Sequence, residues 1–121
     1  MDTQSLFSLA GRTALVTGGS RGIGKMIATG FIAQGAKVYI SSRKADVCEA
    51  VAEELGPNCI AVPQDISTVD GCKALTTTMA EHESGIDILV NNAGAAWGES
   101  FETFPEAGWD KVMDLNVKSI F

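Results

Sequence analysis

Two hydrophobic periods alternate along the chain. Short, almost wholly apolar runs at residues 13–16, 37–41, 59–62 and 86–90 are typical of strands that are buried on both faces. The segments between them carry apolar side chains at helical spacing, as at Val47, Val51 and Leu55. The pattern predicts helices over residues 23–34, 45–55 and 67–83, and a last helix with Pro105 in its first turn.

The start of the third helix has a sequence signal of its own. Ser67 is followed three residues later by Asp70, which is close to a capping box. We therefore predict that Ser67 caps this helix.

Strands that alternate with helices predict right-handed crossovers and a parallel sheet. The expected fold is α/β, a Rossmann-type doubly wound sheet with strand order 3-2-1-4. Ligands of such sheets bind beyond the carboxyl ends of the strands, where residues 18–24, 41–44, 65–66 and 91–94 lie. This convergence predicts a dinucleotide site.

The connection between the first strand and the first helix is rich in glycine. It reads Thr17-Gly18-Gly19-Ser20-Arg21-Gly22-Ile23-Gly24. The glycines allow a tight turn and a close approach of the backbone, and they direct N–H groups and the positive end of a helix at an anion. A tight turn without a ligand is the alternative. The segment also matches the start of a P-loop, but Met26 stands where a hydroxyl should hold magnesium.

Composition narrows the class of protein. The 121 residues are 45% hydrophobic, which suits one soluble domain or part of a larger one. The net charge of −6 disfavours nonspecific binding to nucleic acid or anionic membranes. The three cysteines, Cys48, Cys59 and Cys72, fit neither a disulfide framework nor a zinc site. We expect reduced thiols, no bound metal, no membrane span and a cytoplasmic location.

The sequence TGGSRGIG, together with Asp65 and the NNAG turn at residues 91–94, resembles the short-chain dehydrogenase/reductase family in its shorter, non-extended branch. Within this family, the stretches 7–12 and 94–121 are most similar to NADPH-dependent 3-oxoacyl-carrier-protein reductases, including the rhamnolipid-associated type. The resemblance covers nearly the whole chain.

The resemblance implies roles in cofactor binding for the glycine-rich segment. Its members that hold the pyrophosphate and the adenosine ribose are Gly18, Ser20, Gly22, Ile23 and Gly24.

The end of the second strand predicts the choice of cofactor. An NAD enzyme presents a carboxylate there, which binds the ribose 2′-hydroxyl and repels a 2′-phosphate. Here the position is Ser42, and Arg43 and Lys44 follow it. Arg21 and Arg43 would form a cationic clamp on the 2′-phosphate, which favours NADP(H) over NAD(H). Solvated charges in a surface loop are the alternative.

The resemblance also assigns residues to the two ends of the cofactor. Asp65 would accept a hydrogen bond from the adenine amino group, and the backbone at Ile66 would help to fix the ring. Favourable electrostatics at a helix entry would also explain Asp65. Asn91, Ala93 and Gly94 would approach the nicotinamide ribose, and the asparagine turn, Asn91 included, would tie the central strands together.

Asn116 is the candidate catalytic residue of the last helix. It shares a face with apolar residues, so its amide should be buried and in need of partners. In the family, this asparagine is the fourth catalytic member and holds a water that connects the active-site lysine to solvent. A core amide bonded only to the backbone is the alternative.

The reaction that the resemblance implies passes a hydride between the nicotinamide and the carbon of a carbonyl or alcohol substrate, with a serine and a Tyr-x-x-x-Lys motif as the other catalytic residues. These residues are absent here, because Tyr39, the single tyrosine, lies inside the second strand without a lysine four residues later. We expect residues 1–121 to be the cofactor half of one NADP-binding Rossmann domain, inactive by itself and part of a homodimer or homotetramer when full length. A noncatalytic NADP-binding module and a structural fragment without nucleotide affinity are the alternatives.

Three further side chains have weaker assignments. His82 should be exposed. Trp97 and Phe101 either border a substrate entrance or pack the loop that carries them.

Overall fold

The computed structural model describes residues 1–121 and has four parallel strands at its centre. The strands are β1 (Thr13–Thr17), β2 (Lys37–Ser41), β3 (Cys59–Ala61) and β4 (Ile88–Val90). The helices are α1 (Thr3–Leu6), α2 (Gly22–Ala33), α3 (Ala45–Leu55), α4 (Val69–His82) and α5 (Glu106–Met113). A 3₁₀ turn at Phe101–Thr103 precedes α5, and a π-helical turn at Asp114–Lys118 continues it.

The strand order is β3-β2-β1-β4, and all three pairings are parallel. The predicted fold class and order 3-2-1-4 are therefore confirmed. β1 and β2 pair along their whole length, from Thr13 opposite Lys37 to Thr17 opposite Ser41. Because this register is flush, the two central strands end at the same level, and the loops that follow them lie side by side.

The apolar strands are buried because helices cover both faces of the sheet. On one face, Ala14, Val16, Val38 and Ile40 pack with residues of α2 and α3. On the other face, Leu15 and Tyr39 pack with Leu75 and Met79 of α4. Alternate residues of each central strand thus serve opposite cores, as the period of a strand requires.

The boundaries differ from the prediction in three places. Thr68 rather than Ser67 caps α4, because its hydroxyl accepts a hydrogen bond from the Gly71 N–H (3.0 Å). The predicted cap at Ser67 is therefore wrong by one residue. Pro105 is the N-cap of α5 and not part of its first turn. β3 and β4 have only three residues each.

None of the helices combines the length and apolar character that crossing a membrane requires.

Candidate functional site

A cleft of about 820 Å³ opens at the carboxyl ends of the strands. Residues from all four of the stretches that the sequence placed there line it. They are Gly18 and Ser20–Ile23, Ser41–Lys44, Gln64–Ser67, and Asn92–Ala96, with Val47, Lys111 and Leu115 completing the lining. Three of the predicted site residues, Gly24, Asn91 and Asn116, do not line the cleft.

The glycine-rich loop is fastened to the end of β2. The N–H groups of Gly18 and Gly19 both donate to the carbonyl oxygen of Ser41, at 2.8 and 3.3 Å. The N–H groups of residues 20–23, at the start of α2, have no backbone acceptor. Because these donors precede a helix, they form a site of positive potential that suits an anion.

Two glycines of the loop are required by geometry. A Cβ at Gly24 would lie 2.1 Å from the carbonyl oxygen of Gly18, so only glycine lets α2 approach β1 this closely. Gly22 has a φ of +55°, and a Cβ there would meet nothing within 4 Å. Gly24 is therefore needed for the close packing of α2 against β1. Gly22 is needed for its positive φ, and the space beside it is open.

The end of β2 bears cations and hydroxyls but no carboxylate. Arg21 and Arg43 are exposed and line the same cleft, together with Lys44. Ser41 and Ser42 line it too, and both of their hydroxyl oxygens are buried without a hydrogen-bond partner. Since buried polar groups are nearly always paired, these two hydroxyls are available to bond to a polar ligand at this end of the cleft.

Asp65 forms the next part of the wall. Its Oδ1 accepts hydrogen bonds from the hydroxyl (2.7 Å) and the N–H (3.0 Å) of Ser67. These bonds, and the charge of Arg43 nearby, hold the pKa of Asp65 below its ordinary value. The carboxylate is therefore ionised at neutral pH and makes no protein hydrogen bond through Oδ2. Ile66 is buried in the second core, and its carbonyl accepts from the thiol of Cys72 (3.3 Å).

A network centred on Thr17 joins the ends of β1 and β4. The Thr17 hydroxyl accepts from the N–H groups of Asn92 and Ala93, both at 3.1 Å, and donates to the carbonyl of Val90 (3.3 Å). The side-chain amide of Asn92 donates to the carbonyls of Thr17 and Gly18, both at 3.1 Å. Asn92 thus ties the central strands together, a role that the family resemblance implies for the asparagine turn, Asn91 included. Asn91 is exposed.

Asn116 lies in the π-helical turn, half-buried. Its Oδ1 accepts from the Ala95 N–H (2.7 Å), and its Nδ2 donates to the Ala95 carbonyl (2.9 Å). This is the geometry of the alternative interpretation, an amide bonded to backbone. The pair of bonds fixes the segment that follows Gly94 against the last helix, beside the cleft wall formed by Ala95 and Ala96.

The other candidates lie outside the cleft. His82 is exposed, as expected, and its Nδ1 lies 2.8 Å from the Thr78 carbonyl oxygen. The three cysteines are free, and burial, with a smaller contribution from Cys48, raises the pKa of Cys59 to about 11. A thiol with such a pKa is not a nucleophile at neutral pH.

Residues 12–121 match the family model described as short chain dehydrogenase, and the chain belongs to this family. It is 51% identical over 117 residues to the rhamnolipids biosynthesis 3-oxoacyl-[acyl-carrier-protein] reductase of Pseudomonas aeruginosa. This match covers 95% of this chain and 46% of that protein. It is 38% identical over 115 residues to the NADP-dependent (R)-specific alcohol dehydrogenase of Lentilactobacillus kefiri (93% of this chain, 46% of that protein). The resemblance inferred from the sequence motifs is confirmed.

Solved structures agree with this placement. The Pseudomonas aeruginosa RhlG/NADP active-site complex matches with a TM-score of 0.91 and 51% identity, over 95% of this chain and 46% of that one. The L-sorbose reductase of Gluconobacter frateurii, complexed with NADPH and L-sorbose, matches with a TM-score of 0.89 and 31% identity, over 94% and 45%. The chain therefore spans slightly less than half the length of the relatives it matches.

Proposed function

We propose that this chain is the coenzyme-binding part of an NADPH-dependent oxidoreductase, which reduces a ketone such as a 3-oxoacyl thioester. The observation that carries the proposal is the cleft at the strand ends, where unpaired backbone N–H groups and two arginines lie together and no carboxylate follows β2. The names of the relatives support it, since one is a 3-oxoacyl reductase and two bind NADP or NADPH.

The pyrophosphate would lie on the N–H groups of residues 20–23, at the positive end of α2. The whole chain carries a charge of −6, so attraction of the coenzyme depends on this local group of donors and on the cations beside it.

The 2′-phosphate would lie between Arg21 and Arg43, with the unpaired hydroxyl of Ser42 as a further donor. A guanidinium presents two parallel N–H donors to a phosphate, so both arginines favour the phosphorylated coenzyme. This end of the cleft therefore selects NADP(H) over NAD(H).

The rest of the coenzyme would follow the cleft towards β4. Asp65 would accept from the adenine amino group through its unbonded oxygen, with the Ile66 backbone beside the ring. Ala93 and Gly94 would approach the nicotinamide ribose, with the exposed Asn91 at the margin.

When bound, the reduced nicotinamide supplies a hydride to the carbonyl carbon of the substrate. The serine and Tyr-x-x-x-Lys that the family uses to polarise and protonate the carbonyl oxygen are not among these 121 residues. The activity is therefore proposed for the whole protein, of which residues 1–121 form the first part of a single Rossmann domain. The side-chain amide of Asn116 makes one hydrogen bond through its Oδ1 and one through its Nδ2, both to Ala95. Its remaining Nδ2 hydrogen and Oδ1 lone pair would hold a water for the catalytic lysine.

We propose that the whole protein is a cytoplasmic homodimer or homotetramer.

Turnover by the whole protein tests the proposal. With NADPH and a 3-oxoacyl thioester, we expect oxidation of NADPH that depends on both. A noncatalytic NADP-binding module would bind NADPH without turnover. Absence of both binding and turnover would contradict the proposed function altogether.

A further inference from the structure

Residues 65–67, in the wall of the cleft, are held against the first turn of α4. A Cβ at Gly71 would lie 1.7 Å from the carbonyl oxygen of Asp65, so this oxygen occupies the space that any other side chain would fill. Gly71 is buried within the helix and its φ is not positive, so the backbone conformation does not require glycine there. Because an interior glycine weakens a helix relative to alanine, the close approach of Asp65 is the physical reason for it.

The next carbonyl of this segment is bonded to α4 as well. The thiol of Cys72 donates to the carbonyl oxygen of Ile66 (3.3 Å). The thiol has one hydrogen, and the Ser119 carbonyl oxygen, at 4.0 Å, is the more distant acceptor. Two consecutive carbonyls, those of Asp65 and Ile66, are therefore directed at α4.

One donor and one acceptor of the segment are left without a partner. The Ile66 N–H has no acceptor, and the hydrogen bonds from Ser67 to Asp65 use only Oδ1 and leave Oδ2 free. The Ile66 N–H belongs to the same trans peptide as the Asp65 carbonyl, so it points away from α4 when the carbonyl points towards it. An acceptor beside a donor is complementary to adenine, which offers an amino group beside a ring nitrogen.

We propose that Gly71 and Cys72 are positioning residues for adenine recognition, because they fix the two peptide groups that carry this donor and this acceptor. The inference rests on the proposed function, which places the adenine beside Asp65 and Ile66. Neither Gly71 nor Cys72 lines the cleft, so both act through the segment that they hold. A change at either residue should reduce discrimination between adenine and a base that lacks the amino group.

The test compares two coenzymes in the whole protein. One is NADPH, and the other is reduced nicotinamide hypoxanthine dinucleotide phosphate, which has a carbonyl in place of the adenine amino group. Calorimetric titration gives the ratio of their affinities. Since a hydrogen bond to a charged group is a strong one, we expect the unmodified protein to favour NADPH about tenfold or more. Asp65→Ala, which removes the acceptor, should abolish this preference.

Gly71→Ala should lower the preference for NADPH to about threefold or less, because the added methyl group displaces the Asp65 carbonyl. Gly30→Ala is the matched control, since Gly30 also lies within a helix but a Cβ there meets nothing within 4 Å. It should keep the ratio within about twofold of that of the unmodified protein.

Two variants of Cys72 decide the matter if Gly71→Ala binds neither coenzyme. Cys72→Ala removes the donor to the Ile66 carbonyl and should lower the ratio about threefold or more. Cys72→Ser keeps a donor hydroxyl and should retain the ratio within about twofold.

Different failures lead to different conclusions. If Gly71→Ala or Cys72→Ala weakens the binding of both coenzymes by the same factor, the inference is overturned, since the effect is then structural only. Equal losses in Cys72→Ala and Cys72→Ser would overturn the role of the thiol. An unmodified protein without any preference for adenine would overturn this inference together with the contact proposed for Asp65. Failure of the unmodified protein to bind NADPH would overturn the proposed function itself.

Discussion

Single residues in the glycine-rich loop decide how closely α2 approaches β1. The glycine pattern could be read from the sequence because it depends on local backbone geometry. The roles of Thr17 and Asn92 could not, since the hydroxyl of Thr17 bonds a backbone N–H 75 positions along the chain. That contact exists only because β1 and β4 are neighbours in the sheet.

Gly24→Ala should destabilise the protein. The added methyl group would lie 2.1 Å from the Gly18 carbonyl oxygen, so backbone must move, and we expect a loss of about 1–3 kcal/mol in the free energy of unfolding. Gly30→Ala in the same helix is the control, because a Cβ there meets nothing within 4 Å. It should stabilise the protein by about 0.5–1 kcal/mol. Urea unfolding of both variants checks the contrast, and equal effects would contradict it.

Thr17→Val should destabilise the protein at the point where the ends of β1 and β4 meet. Thr17 is 5% exposed, and valine would leave the N–H groups of Asn92 and Ala93 without their acceptor. We expect a loss of about 1–3 kcal/mol in the free energy of unfolding. Thr29→Val, on an exposed helix face, should change it by less than about 0.5 kcal/mol. Thermal unfolding measures both, and a stability unchanged by Thr17→Val would refute the proposed importance of the network.

At the scale of elements, the strands and the first three crossover helices could be predicted because their burial produces clear periods. The π-helical turn at Asp114–Lys118 could not be predicted, since its wider bond from the Ser119 N–H to the Asp114 carbonyl (2.9 Å) has no sequence signature. For the same reason the sequence could indicate that Asn116 faces inward, but not that both ends of its amide would bond to Ala95.

A polar link joins β2 to the end of α4, away from the cleft. Glu83 pairs with the ammonium of Lys37 (2.5 Å) and accepts from the hydroxyl of Tyr39 (2.7 Å). The bond to Lys37, more than that to Tyr39, lowers the pKa of Glu83. The bond to Glu83 is likewise the main reason that the pKa of Lys37 is raised.

The link should give stability a defined pH dependence. A lowered carboxyl pKa contributes stability above the unfolded value of 4.5, and the contribution is lost as the pH falls through the folded value. A raised lysine pKa contributes below 10.5 and is lost as the pH rises through the folded value. Glu83→Gln should therefore be less stable than the unmodified protein at neutral pH, and the difference should vanish in acid.

Denaturant unfolding at a series of pH values measures this difference. Tyr39→Phe is the control, because it keeps the ammonium–carboxylate pair and with it most of the acid dependence. A Glu83→Gln deficit that persists unchanged below the folded pKa would show that the effect is not electrostatic.

For the whole molecule, the sheet topology could be predicted because alternating strands and helices admit few arrangements. The position of the cleft followed from that topology. The sequence left open whether Trp97 borders an entrance or packs its loop, and it could not predict the apolar pocket that Trp97 forms with Val112. These residues come from a loop and a helix whose approach depends on the absence of a side chain at Gly108. A site formed by one sheet edge is thus easier to predict than one formed between a loop and a helix.

The selection of NADP(H) by Arg21 and Arg43 is the central claim, and the ratio of NADPH to NADH affinity tests it most directly. Calorimetric titration of the Arg21→Ala, Arg43→Ala double variant should show this ratio reduced about tenfold to hundredfold, since each charge-assisted bond to phosphate is lost. Lys73→Ala, an exposed cation outside the cleft, should leave the ratio unchanged. A double variant that retains the ratio of the unmodified protein would contradict the account.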